Sequence, residues 1–132
     1  MIQRPVAIGL TLCEQVIIEE GTRRVTLVNC FTRHTVERFP SETFPFIVFA
    51  ILADGLGEML LEVVIHRLDT LEETYRAGQQ VRFADPLQNL RCSLRILDCS
   101  FPVAGHYQVG LFVGGEMVAQ RKLFIQAKAG DS

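Results

Sequence analysis

Leu90-Arg91-Cys92-Ser93-Leu94-Arg95-Ile96 sets an apolar side chain at every second position and a polar or charged one between. A helix would scatter these two sets around its axis. An extended chain sends successive side chains to opposite faces, so the segment reads as a strand with its leucines, cysteine and isoleucine on a core. The same period recurs on both sides of it. Met59, Leu61, Val63 and Ile65 share one face, as do Val6, Ile8, Leu10 and Leu12, with Val16 and Ile18 in the same parity. Glu19-Glu20-Gly21-Thr22 reads as a turn, after which Val25, Leu27 and Phe31 form another inward set. Pro40 to Pro45 encloses a polar loop, and Asp54-Gly55 ends an apolar strand over Phe46–Ala53. Downstream, Tyr107, Val109, Leu111 and Val113 lead into Gly114-Gly115, a hairpin signal because glycine takes positive φ at low cost, and Met117–Ile125 returns. Leu71–Phe83 admits two readings: an irregular strand, or a short helix near 71–76 followed by a strand at Gln80–Phe83. The pattern predicts an all-β fold of about eight strands, an antiparallel sandwich of two sheets, with barrel closure left open.

The 132 residues fit one domain, assigned to 1–126, with 127–132 as a frayed tail. With 48% hydrophobic and 21% charged residues the composition is that of a globular domain. The net charge of −2 argues against nucleic acid as the partner, since binding there needs several neutralised phosphates. No apolar run is long enough to span a bilayer. Arg4 followed by Pro5–Leu12 and Cys13 has the outline of a lipoprotein signal, but the bulky Leu12 and the strand-like alternation speak for a strand. Cys13, Cys30, Cys92 and Cys99 lack C-x-x-C spacing and read as core thiols in a reducing cytoplasm. Whether Cys13 and Cys30 bridge the first hairpin is open.

Ala104-Gly105-His106-Tyr107 opens a late strand with Gly-x-Tyr, followed by a glycine turn and a last strand. This resembles the C-terminal half of immunoglobulin-like sandwiches, where a buried tyrosine ties a loop to the sheets. Leu12-Cys13-Glu14, Asn29-Cys30-Phe31 and Phe39-Pro40 resemble a family of uncharacterised bacterial single-domain proteins of that fold. The chain departs from antibody domains in having no tryptophan and no core disulfide pair. The resemblance implies a fold and no activity.

Chemistry is sparse. Cys30 and His34 are four apart, which on a strand separates them by more than ~10 Å and excludes a nucleophile–base pair. Gly55-Leu56-Gly57 and Gly114-Gly115 lie between strands and are explained as turns, without a phosphate-binding fingerprint. Alternating strand directions send His34, His66, Asp69, Asp98 and His106 to one end, and Asp54 and Asp85 to the other. A small-ligand or metal site at the end carrying His34, His66 and His106 is therefore the second functional reading. Arg91 and Arg95 read as a solvated outer face.

The Phe46–Ala53 strand is apolar on both faces, where a sandwich strand should be wet on one. Phe46, Val48, Ala50 and Leu52 form one face; Leu60 and Val64 extend apolar character on the next strand. Such a patch covers roughly 300–400 Å², on the order of 8–10 kcal/mol gross at ~25 cal/mol/Å². Its cover is the loop at Leu71–Arg82, a second copy, or another partner. The first functional reading is thus a non-catalytic interaction or assembly module, self-associating through Phe46, Val48, Ala50, Leu52, Leu60 and Val64. It needs no cofactor, and its partner is a protein or a second copy.

Overall fold

Ten strands carry the alternation into three sheets. The structure is a computed structural model describing residues 2–129. In chain order the strands are β1 (Val6–Cys13), β2 (Gln15–Ile18), β3 (Val25–Val28), β4 (Arg33–Val36) and β5 (Phe46–Ala53), followed by β6 (Gly57–Arg67), β7 (Glu73–Phe83), β8 (Leu90–Ile96), β9 (Gly105–Val113) and β10 (Glu116–Ala127). One sheet runs β1-β5-β8 and a second runs β4-β10-β9-β6-β7. The third is the β2–β3 hairpin. All pairings are antiparallel except β4 with β10, which is parallel.

The expected inward residues meet in one cluster. Leu10, Leu12, Val48, Leu94 and Ile96 from the three-stranded sheet pack with Leu61, Val63, Val109, Leu111 and Leu123 from the five-stranded sheet. Tyr107 is fully buried within it, and its hydroxyl donates to the Val103 carbonyl at 2.6 Å. That bond ties the β8–β9 loop to the start of β9. Ser41, the single buried polar residue among those described, clasps the same loop. Its hydroxyl accepts from the Phe101 amide at 2.8 Å, and its carbonyl accepts from the Ser100 hydroxyl at 2.6 Å. Burying such groups is tolerable only because each finds a partner.

The architecture corrects four expectations. There are ten strands and three sheets, not eight strands in two. The apparent first strand breaks at Glu14, where the chain bends away and β2 leaves the sheet. The parity of Val16 and Ile18 continues across that bend, so periodicity alone does not reveal it. Strand β4 was not anticipated because Arg33-His34-Thr35-Val36 offers a single fully buried apolar residue. Its parallel register on β10 also means the fold is not wholly antiparallel. Third, the described residues contain no helix, and 73–76 open β7. Leu71 has φ of 62°, a left-handed turn conformation, and Thr74 and Tyr75 favour extended backbone. Fourth, β10 reaches Ala127 and the Lys128 amide donates to the Val36 carbonyl at 2.7 Å, so the start of the expected tail is held. Residues 130–132 lie outside the described part.

The doubly apolar β5 also finds its cover. Phe46, Val48, Ala50 and Leu52 face the main core and are fully buried, so they are no surface. On the opposite face Phe49 is only 5% exposed, and Cys13 on β1 is fully buried. The β2–β3 hairpin lies across this side. A shallow groove is lined jointly by Val16 and Ile18 of β2 and by Ile47, Ser93 and Arg95 of the sheet. Arg91 reaches the hairpin turn, donating to the Arg23 carbonyl at 2.6 Å. Segment 71–82, one of the three covers considered, belongs instead to the other sheet.

Candidate functional site

Among the described residues nothing covers the outer face of the five-stranded sheet in this way, and its register sets out what it displays. With Tyr107, Val109 and Leu111 turned inward, His106, Gln108, Gly110 and Phe112 of β9 point outward. By the same alternation Lys122, Phe124 and Gln126 of β10, Arg33 and Thr35 of β4, and Leu60, Glu62, Val64 and His66 of β6 point outward. Gln108 stands between His66 and Lys122, and Phe124 between His106 and Arg33. Four strands thus bring Arg33, His66, His106 and Lys122 to one end of one face.

Phe124 organises that end. Its ring lies 4.7 Å from the His106 ring on one side, and the Arg33 guanidinium carbon lies 4.9 Å from its centroid on the other. The arrangement holds a cation by the ring's electron-rich face, and Arg33 Nη1 also donates a long bond of 3.5 Å to Gln126 Oε1. His106 and Lys122 also line a cleft of about 560 Å³, together with Arg67, Asp69 and residues Val103 to Gly105 at the β8–β9 junction. Arg67 and Asp69 form a two-pronged pair, at 2.8 and 3.1 Å. This pair holds the Asp69 carboxyl below the usual carboxylate range.

Charge balance differs along the face. Arg76 binds Glu62 at 2.9 Å and Glu73 at 2.8 Å, so the cation on the β6–β7 side is compensated, with a carboxylate to spare. Arg4 and Glu116 pair at 2.8 Å. Arg33 and Lys122 have no carboxylate within 4 Å among the described residues. The face is apolar between these ends. At Gly110 an added Cβ would lie 3.0 Å from the Phe112 ring, which occupies the space above the glycine with the Met117 sulfur beside it. Val64, paired with Gly110, is 1% exposed, whereas Leu60 is 39% and Met117 45% exposed.

Of the six residues expected at an interface, Phe46, Val48, Ala50, Leu52 and Val64 are therefore buried within the chain, and Leu60 alone is substantially exposed. The histidine reading divides similarly. His66 and His106 share the outer face, but His34 has the inward parity of β4. It stacks on Phe44 with ring centroids 3.7 Å apart. Burial pushes its pKa below the ordinary 6.5, against the pull of Glu42 and Glu14. Among the described residues no three His, Cys, Asp or Glu side chains are grouped to hold a metal ion. The cation cluster went unnoticed because Arg33, Lys122 and Phe124 carry no local motif. Only the parallel β4–β10 register joins them.

Three of the four thiols expected in the core, Cys13, Cys92 and Cys99, are buried, but Cys30 lies outside a strand and is exposed. Cys92 and Cys99 are buried, and burial raises their pKa values to about 11 and about 12. Nucleophilic cysteines need the reverse. Cys13 is likewise raised, first by burial and then by the nearby Cys30. All four cysteines are unbridged.

By its fold this is an all-β protein whose described residues form ten strands in three sheets, with a cationic, aromatic cluster on one face of the five-stranded sheet. The chain belongs to the family of unknown function DUF6941, whose match spans residues 9–126. No curated protein matches it.

Proposed function

We propose that this chain is a non-catalytic recognition module built on an immunoglobulin-like sandwich, and that it docks an acidic segment of a partner protein at Arg33, His106, Lys122 and Phe124. The fold reading rests on strand order. Taking β1, β5, β8 as strands A, B, E and β6, β7, β9, β10 as C, C′, F, G reproduces the A-B-E and G-F-C-C′ neighbours of that architecture. The Tyr107–Val103 bond has the position and partner of its tyrosine corner. The burial-raised thiols of Cys13, Cys92 and Cys99 support a non-catalytic role, and unbridged cysteines fit a reducing cytoplasm.

One observation carries the binding reading. Arg33 and Lys122, neither with a carboxylate partner among the described residues, line one pocket with His106 and the half-buried Phe124 ring beside a cleft of about 560 Å³, while Arg76 on the same face is paired. An acidic segment supplies the missing carboxylates, and the apolar strip toward Met117 accepts its side chains. The cleft volume also suits a small carboxylate ligand, which keeps the second reading at the same place without His34.

The test is fluorescence anisotropy with a labelled Glu/Asp-rich peptide, a neutral peptide of equal length, a dicarboxylic acid competitor and single-stranded RNA. Binding of the acidic peptide, weakened at least tenfold by Lys122→Glu and by raising salt from 50 to 300 mM, is expected. Equal binding of the neutral peptide, or indifference to Lys122→Glu with Arg33→Glu, would sink the reading. Preference for RNA would overturn the choice of partner. Displacement by the dicarboxylic acid at low concentration would favour the small-ligand reading.

A further inference from the structure

A sheet edge is a row of backbone donors and acceptors that can pair with another chain, and proteins usually block it. The two large sheets end on four strands: β1, β8, β4 and β7. On β1 the free side is occupied. Arg121 Nε donates to the Leu10 carbonyl at 2.7 Å, and the Phe31 amide donates to the Leu12 carbonyl at 3.0 Å. Strand β4 is only four residues long. Strand β8 has seven, but an antiparallel copy centred on Ser93 would set Arg91 against Arg95 twice, and like charges directly opposite are destabilising.

Among the described residues strand β7 has no such cover, is not short and sets no like charges against a copy of itself; its one irregularity is a bulge at Thr74 near its start. It is eleven residues long, and its backbone pairs with β6. Its middle, Gly78-Gln79-Gln80, is exposed and uncharged. We infer that a second copy of this chain docks on β7 in antiparallel register, joining the two five-stranded sheets into one. The strand's own sequence selects a copy of itself as the occupant. Centred on Gly78, the pairing sets Tyr75 opposite Val81 and Arg76 opposite Gln80, and brings Arg82 alongside Glu73. No two like charges oppose each other. Tyr75 and Val81 are half-buried apolar residues at the rim of the core, and the copy covers both. The two-fold axis then runs perpendicular to the sheet, so both cationic sites face the same side. Because the two β7 strands run antiparallel, the sites lie at opposite ends of the joined sheet: seven strand spacings of ~4.8 Å across it, and roughly six residues of ~3.3 Å on each side of the axis along it, put them on the order of 50 Å apart. This inference stands on the edge alone and is independent of what the cationic site binds.

Gln80 gives a register-specific test, because it is exposed and each dimer sets it opposite Arg76 twice. Sedimentation equilibrium is expected to show a monomer–dimer system. Gln80→Lys should weaken it about tenfold or more, Gln80→Glu should strengthen or preserve it, and Ser93→Lys on β8 should leave it unchanged. Circular dichroism confirms that all three variants fold. Hydrogen exchange should slow in β7 amides as concentration rises. A monomer at every concentration up to the millimolar range overturns the inference. So does a dimer indifferent to Gln80→Lys, or one whose protected amides lie outside β7.

Discussion

The two outer faces of this molecule have opposite fates. The outer face of β1-β5-β8 is roofed by the β2–β3 hairpin, so Phe49 is almost fully buried although it points away from the main core. The outer face of β4-β10-β9-β6-β7 has no roof among the described residues and carries Phe124, His106, Lys122 and Arg33 in contact with solvent. An apolar strand face therefore does not by itself mark an interface. What decides is whether the chain supplies its own cover.

The largest expected effect separates the faces by stability. Phe49→Ala should cost about 3–5 kcal/mol in urea unfolding, as for a core phenylalanine. Phe112→Ala on the open face should cost less than about 2 kcal/mol, since its ring is only partly covered. Equal costs would erase the distinction between roofed and open faces. Next, Tyr107→Phe removes the bond to the Val103 carbonyl and should cost about 1 kcal/mol. Faster hydrogen exchange over Val103–Gly105, with β2 and β3 unaffected, would place the loss beside the open face.

A smaller effect concerns pH. His34 is held neutral by burial, so its folded pKa lies below the unfolded value of 6.5. The unfolded chain then binds a proton first as pH falls. Its contribution is fully present above about 6.5 and declines as pH drops through the interval down to the folded pKa. Urea midpoints between pH 7.5 and 5 should fall in the wild type and fall less in His34→Phe. An unchanged slope would assign the acid sensitivity to other groups. Smallest of all, Lys122→Glu and Arg33→Glu should each shift stability by no more than about 0.5 kcal/mol, as exposed sites do. A larger loss would make the cationic end structural.

Much of the fold was legible because period-two alternation assigns each side chain to a face. The inward sets on β6, β8 and β9, the Gly114-Gly115 turn and the tie from Tyr107 all follow from it, and the two turn glycines do take positive φ. The helix option at 71–76 failed because a short charged stretch with two β-prone residues has no period long enough to decide. The site was legible only in part. His66 and His106 were placed at one end correctly, while His34 was separated from them by a parity that depends on an unanticipated strand.

What the sequence determined alone is most of the strands, though not β4 or the break at Glu14, and which residues could share a face, since both are properties of a local extended backbone. Tertiary structure decided which neighbour each strand took, and with it everything functional. The parallel docking of β4 on β10 carries Arg33 to Phe124, and the bend at Glu14 turns β2 and β3 into a roof for Phe49. Alternation specifies a side chain's direction but not what lies opposite, and unmatched charge or uncovered apolar surface is defined only by what lies opposite.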